Sequence, residues 1–354
     1  MRILILTQKI DQNDDLLGFM HGWVKEFANR CEQVTAICLG AGSYDLPQNV
    51  KVLSLGKEKG ASRLKYIFNF YKHIWRERRQ YDYIFVHMNC EYVLFGGLLW
   101  RLLGKKVILW YAHYLIDWRI KLAALLSHRV VTSTSFACKL KSVKLMVVGQ
   151  GIDTEYFRDL SDYVFGGQIN FLFLGRISPV KDLETLIRAV GLARQQSGGI
   201  YLTIVGAPTP ADEKYSDGIK NLVEELGLSE VVKFWGKVSN RETLKFYNKN
   251  DIFINLTRTG SFDKTTLEAM ACERPVLVCN RSFCDIFPPD LADKLIFKEK
   301  DSEELAKRIL WLAGIDRQER QEIGRRLREI IVKEHSLKRL VAKLLEIFNL
   351  IDLK

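Results

Sequence analysis

What the chain lacks narrows its class before any motif is read. None of its 354 residues lie in an uncharged apolar run approaching the roughly 18 residues that cross a bilayer. The most apolar window, Tyr92–Leu103, is interrupted by Arg101. Met1–Thr7 holds one cation and a short apolar run with no small-residue cleavage site, which predicts a buried strand and a cytosolic protein. The seven cysteines, at 31, 38, 90, 138, 272, 279 and 284, form no CxxC pair. An odd, scattered set argues against a disulfide framework and against a structural zinc site, so reduced and mostly buried thiols are expected. No internal repeat and no low-complexity segment is found, and 7 prolines and 24 glycines are too few for a collagen-like or disordered chain.

What is present is a folded composition, 47% hydrophobic and 27% charged, at a length that exceeds one hydrophobic core. Two domains are expected, spanning 1–165 and 166–354. The net charge of +11 is unevenly placed. Residues 1–150 hold 22 Lys and Arg against 11 Asp and Glu, whereas residues 151–354 hold 31 of each. A merely solubilising surface has no reason to be polarised by domain, so the first half is expected to meet an anionic partner.

Short apolar runs alternate with helix-spaced segments along both halves. In the first half, strands are predicted at 3–7, 33–39, 50–55, 83–87, 107–111 and 130–133, with helices at 19–30, 63–79, 93–103 and 120–126. A second series opens at Asn170 with Phe171–Leu174. It continues through strands at 201–205, 232–235, 252–256, 275–279 and 294–296, with helices at 183–196, 218–226, 241–248, 265–272, 302–313 and 316–334. This alternation predicts two doubly wound α/β units, joined by a glycine-containing linker at 149–167. The amphipathic segment 337–350 lies beyond the second core and is expected to pack back across the linker. In open parallel sheets ligands bind beyond the carboxyl ends of the strands, and two such units imply a cleft between them.

Two loops after strands carry the strongest signals. In Phe173-Leu174-Gly175-Arg176-Ile177-Ser178-Pro179-Val180-Lys181-Asp182, a glycine ends a strand and two cations flank a turn before a helix whose N-terminus favours anions. Arginine offers a planar fork and lysine a movable point charge, so together they suit a diphosphate. The second loop, Thr259–Thr266, runs into a helix containing Glu268. Amides near Lys264–Thr266 suit a phosphate, and the Glu268 carboxylate suits vicinal hydroxyls such as those of a ribose. The competing readings are a solvated turn with two surface cations and an exposed helix carboxylate.

Taken together, Gly175-Arg176…Lys181-Asp182 and Leu267-Glu268-Ala269-Met270-Ala271-Cys272…Arg274-Pro275-Val276 resemble the C-terminal half of family-4 retaining glycosyltransferases of the GT-B architecture. Gly151-Ile152-Asp153-Thr154-Glu155-Tyr156-Phe157 is similar to the linker entry of that family, and Glu334-His335-Ser336 to its terminal helix region. The resemblance implies two Rossmann-like domains. It also implies transfer of a sugar from a nucleoside diphosphate sugar to a hydroxyl of a glycan or lipid-linked acceptor, with retention, without cofactor and without metal. No DxD-like acidic motif follows any predicted strand, in keeping with cations and helix ends replacing a divalent ion.

By the resemblance, Arg176 and Lys181 hold the donor diphosphate, Glu268 the ribose, and Asp263, Lys264, Thr265 and Thr266 the phosphate and sugar. Gly206 and 236–238 line the base pocket, beside Gly175. The first glutamate of the family's E-x7-E motif falls at Gly260, so that carboxylate is absent here. Asp263 is the nearest substitute; the other reading makes it a cap of the helix beginning near Lys264.

In the first half, His113 ends Leu109-Trp110-Tyr111-Ala112-His113, where the resemblance implies contact with the donor sugar. His87 and Asn89 follow another strand and are expected on the acceptor side. The loop Asp11–Gly18 matches the family's acceptor-side loop but lacks its paired glycines. The helix at 63–79 mixes cations with aromatics, which suits either a core-packed helix or the anionic inner face of a membrane. Rival functions are a nucleotide-sugar epimerase or sugar phosphorylase of the same fold, a non-catalytic sugar-nucleotide binder, and a nucleic-acid-binding protein, the last without any recognition module.

Overall fold

A computed structural model describes residues 1–160, 167–260 and 262–353, and the chain divides into two compact units. The first comprises Met1–Gly151, Ser239–Arg241 and Leu337–Lys354, the second Ile152–Val238 and Glu242–Ser336. The units therefore part at Gly151, and the boundary expected at 165/166 lies among residues outside the described ones.

The first unit runs β1 (Arg2–Ile10), α1 (Phe19–Arg30), β2 (Gln33–Ala41), β3 (Val50–Ser54), α2 (Arg63–Arg76), β4 (Tyr83–His87), α3 (Cys90–Leu102), β5 (Lys106–Trp110), α4 (Trp118–Leu126), β6 (Arg129–Thr132) and β7 (Leu145–Val147). The strands pair in parallel in the order β3-β2-β1-β4-β5-β6-β7. Successive side chains of β1 point to opposite faces. Ile3 and Ile5 join Trp23 and Phe27 of α1, while Leu4 and Leu6 join Phe70, Val93, Trp100 and Ile120 of α2, α3 and α4. A strand covered on both faces has to be apolar where it is covered, as β1 is from Ile3 to Leu6. The sequence prediction missed β7, whose three residues lie in a lysine-rich stretch without alternation.

The second unit runs β8 (Ile169–Leu174), α5 (Leu183–Gln196), β9 (Ile200–Val205), α6 (Glu213–Glu225), β10 (Val232–Gly236), α7 (Thr243–Lys249), β11 (Ile252–Asn255), α8 (Lys264–Ala271), β12 (Val276–Val278), α9 (Pro289–Leu295), α10 (Ser302–Gly314) and α11 (Arg317–Ile330). Its five parallel strands are ordered β10-β9-β8-β11-β12 around one continuous core. The strand expected at 294–296 is a correction: Lys294 and Leu295 close α9, and Ile296 makes only a single bridge to Val278. Pro289 at the first helical position and Asp290 in the first turn favour the helix over an edge strand. The last helix, α12 (Leu337–Asp352), belongs to the first unit, where Leu340, Leu344 and Phe348 fill the core beneath α1. Among the described residues no helix is long and apolar enough to cross a membrane.

One half-buried ring is expected to make the first unit acid-sensitive. His128 accepts the Val107 amide at Nδ1 (3.0 Å), and burial, with Arg101, Lys106, Lys144 and Arg129 around it, lowers its pKa to about 4. An unfolded imidazole protonates near pH 6.5, so the unfolded state binds the extra proton first. Stability is therefore expected to fall as pH drops from about 6.5 to about 4, with no further loss from this group below. His128→Gln should shallow that slope in denaturant titrations across the window; an unchanged slope contradicts the assignment.

Candidate functional site

The carboxyl ends of β8, β9 and β10 converge through glycine. Gly175 donates its amide to Val205 O (3.0 Å), and Gly206 donates to Gly236 O (2.8 Å). Gly206 has φ of 138°, and a Cβ there would lie 1.9 Å from the Gly175 carbonyl oxygen. Only a residue without a side chain allows these strand ends to approach so closely. Directly beyond Gly175, Arg176 is exposed and has no ion pair among the described residues. The chain then turns through Pro179–Lys181 into α5. The first amide of α5, Leu183 N, is taken by the Tyr215 hydroxyl at 2.9 Å, so the helix start is capped from within the unit.

Lys181 reaches across to the end of β11. Its Nζ donates to Thr257 Oγ1 (2.8 Å) and pairs with Asp263, which also accepts from Thr257 Oγ1 (2.5 Å) and Asn255 Nδ2 (3.0 Å). Burial opposes ionisation of Asp263, but the Lys181 ammonium and these donors outweigh it and hold the carboxyl below its ordinary range. Asp263 stands at the cap position of α8, yet its side chain makes no capping bond. The alternative reading of it as a helix cap is thereby corrected: the carboxylate is spent on Lys181. Asn255 and Thr257 escaped sequence reasoning, although polar residues ending an apolar strand were the available signal.

Glu268 is not the exposed helix carboxylate of the competing reading. It is 3% exposed and accepts the Tyr247 hydroxyl at Oε2 (2.9 Å). Burial, with the neighbouring Glu268 charge, drives the Tyr247 phenol well above its usual value, so it stays a donor. Burial likewise lowers the Lys264 pKa well below the usual lysine value, with Glu268 working against it. The hydroxyls of Ser178, Thr265 and Thr266 are buried without hydrogen-bond partners among the described residues. Gly260 has φ of 105°, in the left-handed region, with nothing within 4 Å of a Cβ.

The residues expected in the first unit are placed as follows. His113 lies between β5 and α4, accepting the Leu115 amide at Nδ1 (3.1 Å) and stacked on Tyr114 with ring centroids 4.7 Å apart. His87, at the end of β4, is buried against Phe19, Trp23 and Trp110. Asn89 accepts from Gln8 Nε2 (3.0 Å). Gly18 precedes α1 where a Cβ would lie 2.5 Å from the Asp14 carbonyl oxygen, and the Asp14 carboxylate ties the loop by accepting the Leu16 and Leu17 amides. Six of the seven cysteines are buried, Cys284 being exposed. Among the described residues no group of three or more His, Cys, Asp or Glu is placed to hold a metal ion.

Residues 161–329, nearly the whole second unit, match the model of the family described as glycosyl transferases group 1. That stretch of the chain is similar to a group 1 glycosyltransferase domain. A D-inositol 3-phosphate glycosyltransferase of Mycolicibacterium smegmatis is 30% identical over 141 residues, covering 38% of this chain and 32% of that protein. The chain thus spans about a third of the length of that curated relative. Structures of Anabaena HepE with UDP and glucose (TM-score 0.76, 16% identity, 99% of each chain) and of a Thermosynechococcus elongatus sucrose-phosphate synthase (TM-score 0.76, 14% identity, 99% and 98%) share the fold. The two parallel-sheet Rossmann-like units have the GT-B fold of those structures, and the Arg176–Lys181 loop and Glu268 both lie inside the residues that match the group 1 model.

Proposed function

We propose that the chain is a retaining glycosyltransferase that transfers a sugar from a nucleoside diphosphate sugar to a hydroxyl of a glycan or lipid-linked acceptor, without metal. The observation that carries the reading is the pairing, beyond β8, of an exposed Arg176 with a Lys181 held by Thr257 and Asp263. Lys181 is thereby aimed from a fixed base, and negative charge growing on a departing diphosphate meets this preorganised cation and the exposed Arg176 beside it in the loop. The match to the group 1 family and the UDP complex of a protein with this fold support the donor class. The acceptor hydroxyl approaches from the face that the diphosphate leaves. The positive charge of the first unit directs it to an anionic membrane surface, which a lipid-linked acceptor shares.

Gly260 gives a second reading, a sugar-nucleotide binder without turnover, because the family's first carboxylate is missing there. The left-handed backbone at Gly260 disfavours a glutamate, so Gly260→Glu is expected to raise turnover by less than about tenfold. Incubation with a nucleotide-sugar panel and extracted lipid and glycan acceptors separates the readings. Transfer product supports the proposal, donor consumed without acceptor indicates an epimerase, and binding without turnover indicates the binder.

For the ribose, Glu268→Gln keeps the shape but weakens acceptance of hydroxyl protons, so nucleoside diphosphate affinity should fall by about tenfold with melting temperature nearly unchanged. Calorimetry with a 2′,3′-dideoxy nucleotide checks it: an equal loss with that ligand assigns Glu268 another role.

A further inference from the structure

In a soluble α/β unit, a helix layer turns its apolar stripe to the sheet and its polar side to water. The layer formed by α2, α3 and α4 departs from this on its outer side. In α2, Phe70 and Ile74 are buried, yet Leu64, Phe68, Tyr71 and Trp75, aligned along one flank of the helix, are exposed. Outward-facing Phe95, Leu98 and Leu102 repeat the pattern on α3, with Leu102 86% exposed. On α4 the same holds for Trp118, Leu122 and Leu125.

The three stripes form one surface. Tyr71 donates its hydroxyl to Phe95 O (2.9 Å), joining α2 to α3. Arg101 donates to the carbonyls of Leu125 and Leu126 (both 3.1 Å), and Gly97 lets Leu126 approach, joining α3 to α4. All three helices cover the same face of the sheet, the one holding Leu4 and Leu6.

The charge around this surface selects its occupant. Residues 63–126 hold 11 Lys and Arg against 4 Asp and Glu. All four acids are engaged by cations: Glu77 by Lys51, Asp82 by Arg2 and Lys105, and Glu91 and Asp117 by Arg119. Lys65, Lys72, Arg76 and Arg79 of α2 and its C-terminal turn are exposed beside the apolar stripe. Apolar side chains, tryptophan and tyrosine, and flanking cations are the composition of an interfacial element that buries its apolar side ~5–10 Å into an anionic bilayer.

We propose that the outer face of α2, α3 and α4 inserts into the interface of an anionic lipid bilayer, anchoring the first unit by apolar burial as well as by charge. The inference deepens the reading that the acceptor side meets an anionic membrane, and rests on it. Adsorption by charge alone is reversed by salt, which shortens the screening length to ~3 Å at about 1 M. Apolar burial is not.

The test is co-sedimentation of the full chain with vesicles of equal parts phosphatidylglycerol and phosphatidylcholine. Most wild-type protein should pellet in dilute buffer and remain bound at about 1 M NaCl, where long-range charge attraction is screened. A Leu98→Ser, Leu102→Ser, Leu122→Ser variant should show a partition coefficient at least about tenfold lower, with the remainder released by salt. These side chains are exposed, so the variant's melting temperature and nucleoside diphosphate affinity should match wild type. Complete release of wild type by salt overturns insertion while leaving charge-driven attachment standing. Absence of pelleting in dilute buffer overturns both. A dimer that the leucine substitutions dissociate, without vesicle binding, assigns the face to a second copy of the chain and also overturns the proposal. None of these results depends on whether sugar transfer itself is observed.

Discussion

Arg176→Ala is expected to weaken nucleoside diphosphate binding, or the rate of transfer, by about 10- to 150-fold, the equivalent of roughly 1.5–3 kcal/mol for a lost charge-assisted contact. Arg176 is exposed and has no ion pair among the described residues, so its removal should leave folding intact. Lys181 differs. Its ammonium offsets the cost of holding the Asp263 carboxylate among Thr257 and Asn255. Lys181→Ala should therefore lower both donor affinity and stability, because it strands a largely buried charge. Adding Asp263→Asn should restore stability and not affinity. Wild-type donor affinity in Arg176→Ala, measured by calorimetry, would remove the diphosphate assignment.

Gly206→Ala is expected to have the largest effect on stability. The added methyl would meet the Gly175 carbonyl at 1.9 Å while the backbone sits at φ of 138°, where side chains are rarely tolerated. Neither obstacle yields to a rotamer change, since the colliding atom is backbone. A loss of about 2–4 kcal/mol is expected from overpacking and strain together. Relief requires β8 and β9 to move apart at their carboxyl ends, which shifts Gly175 and Arg176, so donor affinity should fall in the protein that remains folded. Urea denaturation checks the first effect, and a loss below about 1 kcal/mol would show that the strand ends are not held as described.

Much of the fold was legible because its physical signal is local. Ile3–Leu6 and Phe171–Leu174 are continuous apolar runs, and a strand buried on both faces has to be one. The placement of Gly175, Arg176 and Lys181 beyond the end of β8 was legible for the same reason, since the strand before them is a continuous apolar run. The misses are non-local. Residues 294–296 carry an apolar end that suits a strand, and only the preceding Pro289 and Asp290 commit them to a helix end. Asp263 looked like a cap because three residues of local sequence suit one. Its actual partner lies 82 positions away on the loop after β8, a distance that no spacing rule spans. The Tyr247–Glu268 bond joins α7 to α8 between residues 21 positions apart and was invisible for the same reason. Exposure of the apolar residues on α3 could not be read either: its mean composition is that of a buried helix, and only the packing shows which side the sheet leaves uncovered.

The central claim is that the second unit binds a nucleoside diphosphate sugar through its own cations. It is tested most directly by a thermal-shift panel of nucleoside diphosphates and nucleotide sugars on the whole chain, in buffer containing a metal chelator. A ligand that binds only the folded state raises the melting temperature by mass action, contributing about 2.7 kcal/mol at a hundredfold excess over its Kd. The account predicts that at least one nucleoside diphosphate produces a saturable shift in chelator and that Arg176→Ala moves its midpoint to at least about tenfold higher ligand. No shift with any member of the panel, or a shift that appears only when a divalent ion is supplied, would contradict it.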